Sequence, residues 1–176
     1  MDDISKKLGI SKKTIYTFIE NKESLINEVV EKHIAKDQEA IKNILSNSSD
    51  AIDEMVNITK HVLVFLRHMT PSLLYDLKKY HPNAWRKIES QHFSFIEDVI
   101  NKNLIRGQKE GLYRKSIDPQ IISKLYVHNS KSITEEDNFP LEKFNRVTLF
   151  QEMITYHLYG IISDSSRERL IKTSLN

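Results

Sequence analysis

The 176-residue sequence contains no cysteine. Thiol catalysis, cysteine-ligated zinc, iron–sulfur clusters and disulfides are thereby excluded together. Glycine and proline are scarce, four of each, which leaves few points where a helix must break. No apolar run approaches the ~18–20 residues that a membrane span requires. The opening Met1-Asp2-Asp3-Ile4-Ser5 is acidic and lacks the apolar core of a signal peptide. A cytoplasmic protein without a membrane partner is expected. An excess of one charge is lacking too: 26 Lys and Arg stand against 24 Asp and Glu. Net charge therefore gives no sign of a polyanionic partner, and any nucleic-acid contact must come from local arrangement. HExxH, GxSxG, Walker-type and GxGxxG patterns are all missing. The expectation is no catalytic centre, no metal and no cofactor.

What is present is helical periodicity, with no strand-like alternation of useful length and no repeat. The fold class expected is all-α. Helices are predicted over 21–45, 51–69, 82–104 and 140–162, with a further one after Asp118-Pro119 and a short amphipathic tail over 165–175. Thr70-Pro71 is read as the start of a helix with Pro71 near its first turn. Val62-Leu63-Val64-Phe65-Leu66 is apolar on nearly every side, so the helix that holds it is expected to be central and buried. Residues 1–46 are read as a head with its connecting helix, and 47–176 as a larger helical body.

The head carries the most specific pattern. Ile4 and Leu8 lie one helical turn apart, Gly9 follows where a left-handed turn is easiest, and Ser11 is a ready N-cap. Ile10, Ile15 and Phe18 complete an apolar set expected to hold two short helices together. That leaves Ser11, Lys12, Lys13, Thr14, Tyr16 and Thr17 as polar groups around the start of the second helix, the arrangement of a major-groove reader. The run Ile4-Ser5, Gly9-Ile10-Ser11, Thr14-Ile15-Tyr16-Thr17-Phe18 and Lys22-Glu23-Ser24-Leu25 resembles the DNA-binding signature of TetR-type transcriptional regulators. It departs at Ser5, usually Ala, and at Ile19, usually Phe. The resemblance implies that Ser11, Lys12, Lys13, Thr14, Tyr16, Thr17 and Lys22 contact double-stranded operator DNA. It also implies a helical body that dimerises and binds a small effector. Relatives of this type carry one more helix ahead of the motif, which is absent before Ile4. Two alternatives follow: residues precede Met1 in the native protein, or the head is shortened and does not read DNA.

In the body, Met55, Phe65, Met69, Tyr75, Trp85, His92, Phe93 and Tyr126 form a candidate pocket for an apolar effector, although such side chains also describe ordinary core. The helix over 140–162 has apolar residues on two faces, and two such faces need two covers. Phe150, Met153, Ile154, His157, Leu158 and Ile161 are the candidate homodimer interface. The function expected is a ligand-responsive, DNA-binding regulator, a repressor by resemblance. The alternative is a dimeric helical small-molecule-binding or interaction protein without DNA binding.

Overall fold

The computed structural model describes residues 1–70 and 72–172. Pro71 and residues 173–176, the end of the expected tail helix, lie outside the described residues. The chain is all-α. It runs through α1 (Asp2–Leu8), α2 (Lys12–Tyr16), α3 (Lys22–Asn47), α4 (Ala51–His68), α5 (Leu73–Tyr80) and α6 (Pro82–Lys87). A π-helical turn (Ile88–Phe93) leads directly into α7 (Ser94–Lys109), followed by α8 (Pro119–Ser132), α9 (Arg146–Ile161) and α10 (Arg167–Lys172). Among the described residues the only extended pairing is an isolated bridge between Tyr113 and Ile162.

Side-chain caps set the starts of α2, α3, α4, α8 and α9. Asn21 accepts from Ser24 N while Ser24 Oγ accepts from Asn21 N, a reciprocal capping box that opens α3. Asp50 caps α4, Asp118 with Pro119 opens α8, and Asn145 caps α9. That last cap corrects the expected helix over 140–162. Asn145 Oδ1 accepts from the amides of Val147 and Thr148, so α9 starts at Arg146, and the chain after Pro140 closes a separate turn. The helix expected over 82–104 is continuous in path, but its register loosens into the π turn.

The core has three parts. The largest joins α4 to α7, α8 and α9 through Ile52, Met55, Ile100, Leu104, Tyr126, Ile154 and Leu158. A second lies under α3, where Val30 and Ile34 meet Ala84 of α6. A third joins Ile41 of α3 to Ile58 of α4 and Val99 of α7. α3 thus runs without a break from the head into the body and is gripped along its length. The apolar middle of α4 is less buried than expected. Leu63 is buried, but Val64 is mostly exposed, because the core covers only one side of the helix there.

A buried polar staple ties the α3–α4 corner to α7. Glu54 accepts from Asn103 Nδ2 and Arg106 Nη1, each at 2.8 Å, and Asn103 Nδ2 also donates to the carbonyl of Ala51. Tyr113 OH donates to that same carbonyl at 2.9 Å, and Glu110 accepts from the Ala51 amide. Burial pushes the Tyr113 hydroxyl above its ordinary range, reinforced by Glu54 and Glu110, so it stays a donor. Every polar group in this staple has a partner, as a buried network requires.

Candidate nucleic-acid interface

α1 ends in a Schellman turn. Gly9 sits at φ 65°, its amide donates to Lys6 O, and the Ile10 amide donates to Ser5 O. The chain then extends through Ser11, whose Oγ accepts from the Thr14 amide at 3.0 Å and caps α2. Ser11 Oγ and Thr14 Oγ1 also share a hydrogen bond at 2.9 Å, and Thr17 Oγ1 donates to Thr14 O at 2.6 Å. These contacts pin the α2 hydroxyls in place. Ser11, Lys12, Lys13, Thr14, Tyr16 and Thr17 are all exposed, and Ile15 is the one residue of α2 turned into a buried position. Lys12 pairs with Asp2 at the start of α1, which holds its ammonium above the ordinary lysine range. Both partners are open to solvent, so a phosphate can compete for the lysine. Lys22 is the first residue of α3 and is exposed between the two members of the capping box, Asn21 and Ser24. The seven expected DNA contacts therefore share an exposed, hydroxyl- and lysine-rich segment spanning α2 to the start of α3.

The head differs from expectation in its apolar set. Ile15 is buried, but Ile4, Leu8, Ile10 and Phe18 are exposed, Leu8 at 62% and Phe18 at 83%. Two helices of seven and five residues have too little surface to cover four large side chains.

The candidate effector residues do not converge on one cavity. Met55 and Tyr126 belong to the main core. Phe65 lies against the ring of His33, and Phe93 lies under the ammonium of Lys131. Met69 caps the end of α4, and His92 faces Asp37. Only Tyr75 and Trp85 share a hollow, a surface depression of about 270 Å³ that is also lined by Lys78, Lys79, Glu135 and Asp137. The expected dimer residues need correction as well. Phe150, Ile154, Leu158 and Ile161 are spent on the protomer's own core. Met153 and His157 are half-buried, with His157 edge-on to Tyr126 at 5.0 Å. The outward faces carry instead Ile121 and Leu125 on α8 and Tyr156 and Tyr159 on α9. Sequence reasoning did not single out Asp37 of α3, whose carboxylate lies 2.6 Å from His61 Nε2 and 3.5 Å from His92 Nδ1.

No family model matches the chain. The uncharacterized HTH-type transcriptional regulator YvaF of Bacillus subtilis is 27% identical over 173 residues, covering 96% of this chain and 88% of the relative. A TetR-family transcriptional regulator from Agrobacterium tumefaciens superposes at TM-score 0.74 with 16% identity, over 92% of this chain and 86% of that one. The ketosteroid transcriptional regulator KstR2 of Mycobacterium tuberculosis superposes at TM-score 0.65 with 14% identity, over 92% and 84% of the two chains. These relatives are regulators rather than enzymes. The chain has the all-α fold of the TetR-type transcriptional regulators that its N-terminal signature resembles.

Proposed function

We propose that this chain is a transcriptional regulator that reads duplex DNA as a homodimer. One observation carries the reading: the capped, exposed face of α2 gathers Ser11, Lys13, Thr14, Tyr16 and Thr17, with Lys22 at the next helix start. Lysines there release counterions from phosphates, and the pinned hydroxyls fix register on the backbone and base edges. The regulator named among its relatives supports the same reading. Two copies joined through the outward faces of α8 and α9 would set two heads on successive major grooves, about 34 Å apart, of a near-palindromic operator. A small apolar effector in the body would shift the dimer between DNA-competent and incompetent forms, with repression the default by resemblance.

The test is selection from random duplexes followed by footprinting. The reading expects a two-fold symmetric site whose half-sites are one helical turn apart. Recovery of no sequence preference under any effector tried would sink it. A second reading, a helical dimer that binds small molecules without DNA, draws on the exposure of Leu8 and Phe18, which leaves the head an open rather than a closed core. Under that reading the selected pool stays random while the protein still dimerises.

A further inference from the structure

The hollow between α5, the start of α6 and the segment after α8 has an aromatic floor and two charged walls. Tyr75 and Trp85 supply the floor, with Leu74 beside them. One wall is α5, through Lys78 and Lys79, and the other is the segment 134–137. Some of these charges are already spent. Lys78 Nζ donates to Glu135 Oε1 at 2.9 Å and lies 5.9 Å from the centre of the Trp85 ring, so it straps the two walls together. Glu136 is taken by Arg146 and by the amide of Leu141. Lys79 has no such counter-charge. Its ammonium donates to Tyr75 OH at 3.1 Å and lies 5.2 Å from the ring centres of Tyr75 and Tyr80, contacts that hold a cation in place without neutralising it. On the facing wall Asp137 is exposed, and its carboxylate has no hydrogen bond or ion pair among the described residues. The indole N–H of Trp85 likewise has no acceptor among the described residues. The hollow thus presents a held cation on one wall and an unpaired carboxylate on the other, across an aromatic floor.

We propose that this hollow binds a small aromatic zwitterion of the amino-acid type, with its ring on Trp85 and Tyr75, its carboxylate on Lys79 and its ammonium on Asp137. The volume of about 270 Å³ is at the small end of ligand pockets, which suits one ring with a short charged tail rather than a polycycle. The walls also reject simpler charges. A phosphate or other polyanion would face the carboxylates of Glu135, Glu136 and Asp137, and a bare organic cation would face two lysines. A zwitterion is matched at both ends, and Trp85 leaves its indole N–H available as a further donor. The site is also set before a ligand arrives. Lys79 is already held by two rings, and the Lys78–Glu135 strap fixes the separation of the walls, so little ordering remains for the ligand to impose. The ring is the apolar part expected of an effector, and the two charges set its class. His81, which joins α5 to α6, lies with its Nδ1 2.7 Å from Glu23 Oε2 in the first turn of α3. An occupant that grips Lys79 and Trp85 spans that junction, so its presence reaches the helix from which the head hangs. This last consequence rests on the proposed DNA-reading function; the binding itself does not.

Trp85 is the only tryptophan of the sequence, so its emission reports this site alone. The probe is L-phenylalanine, which does not emit where tryptophan does, titrated into the wild-type chain with calorimetry as an independent readout. The proposal predicts a saturable change in Trp85 emission with a matching heat. Phenylpropionate, which lacks the ammonium, and phenethylamine, which lacks the carboxylate, should each bind at least about tenfold more weakly, the usual loss of a charged hydrogen bond. Lys79→Met and Asp137→Asn alter exposed side chains outside the core, so the fold stays, and each should weaken phenylalanine by a similar factor. In Asp137→Asn, phenylalanine and phenylpropionate should bind alike; in Lys79→Met, phenylalanine and phenethylamine should. Unspecific adhesion to the surface gives no such pairing of ligand group with side chain. No saturable emission change and no heat up to about 10 mM phenylalanine, equal binding of either one-charge analogue to the wild type, or binding indifferent to both substitutions overturns the proposal. Failure to find any duplex site, or duplex binding that phenylalanine leaves unchanged, tells against the regulatory reading alone, because the titration is made without DNA.

Discussion

Gly107 lies where α7 runs beneath the ring of Tyr113, and a Cβ at this position would enter that ring. The ring cannot retreat, because its hydroxyl is fixed on the carbonyl of Ala51 and it is almost wholly buried. Gly107→Ala should therefore destabilise the fold by about 1–3 kcal/mol, the usual range for overpacking. Urea unfolding should show a lower midpoint with an unchanged slope. Little of this can be read from the sequence, where Gly107 looks like a helix end. Its partner, Tyr113, lies beyond the helix, and the Ala51 carbonyl that holds Tyr113 comes from a helix 62 positions earlier in the chain. Gly9 is the contrasting case. Its left-handed turn follows from Leu8-Gly9-Ile10-Ser11 alone, because the two capping hydrogen bonds reach no further than Ser5. The α2 hydroxyls are legible for the same reason: Ser11, Thr14 and Thr17 satisfy one another within seven residues.

Among the elements, α3 and α9 depend on single side chains in measurable ways. The Asn21–Ser24 box is the only side-chain cap at the start of α3, and the head hangs from that start. Asn21→Ala should cost about 1 kcal/mol. Hydrogen exchange should show the loss as faster exchange in α2 and the first turn of α3, with the α4 and α9 core amides little changed. On α9, burial pushes the His157 imidazole down to about 4 from an ordinary 6.5. The unfolded chain then accepts a proton that the folded chain refuses, so stability declines once pH drops below about 6.5 and continues down to about 4. Between pH 7 and pH 5 this amounts to about 2 kcal/mol. In His157→Phe the loss over that interval should be smaller by about this amount, measured by denaturant unfolding at the two pH values. The start of α9 shows where periodicity misleads. The apolar pattern runs back to Pro140, but Asn145 has the cap chemistry, and a local cap outranks a distant pattern in setting a boundary.

For the whole molecule, helix content and order follow from spacing and punctuation, whereas the faces do not. A stripe such as Phe150, Ile154, Leu158 and Ile161 says that α9 is buried along one side. It is silent on whether the cover comes from the same chain or a second copy, and here it comes from the same chain. The candidate effector residues scatter for a related reason: large apolar side chains mark buried positions, and only three-dimensional packing assigns them to a core, a hollow or a seam. The exposed large apolar side chains on α8 and α9 are Ile121, Leu125, Tyr156 and Tyr159, and the proposed homodimer would meet there. Leu125→Glu with Tyr156→Glu should convert a dimer to a monomer in sedimentation while the helical circular dichroism stays, since neither residue belongs to the core. A dimer that survives both charges would place the contact elsewhere.

The central claim, that the α2 face reads DNA, is tested most directly by the salt dependence of duplex binding. Affinity for a selected site should fall steeply with salt, and Lys22→Ala should lower the magnitude of the log–log slope by about 1 while leaving the preferred sequence intact. Tyr16→Ala should weaken binding with no change in thermal stability, because its ring is exposed and outside the core. Binding that is absent at low salt, or equally strong in the Lys13→Ala, Lys22→Ala and Tyr16→Ala proteins, would contradict the account.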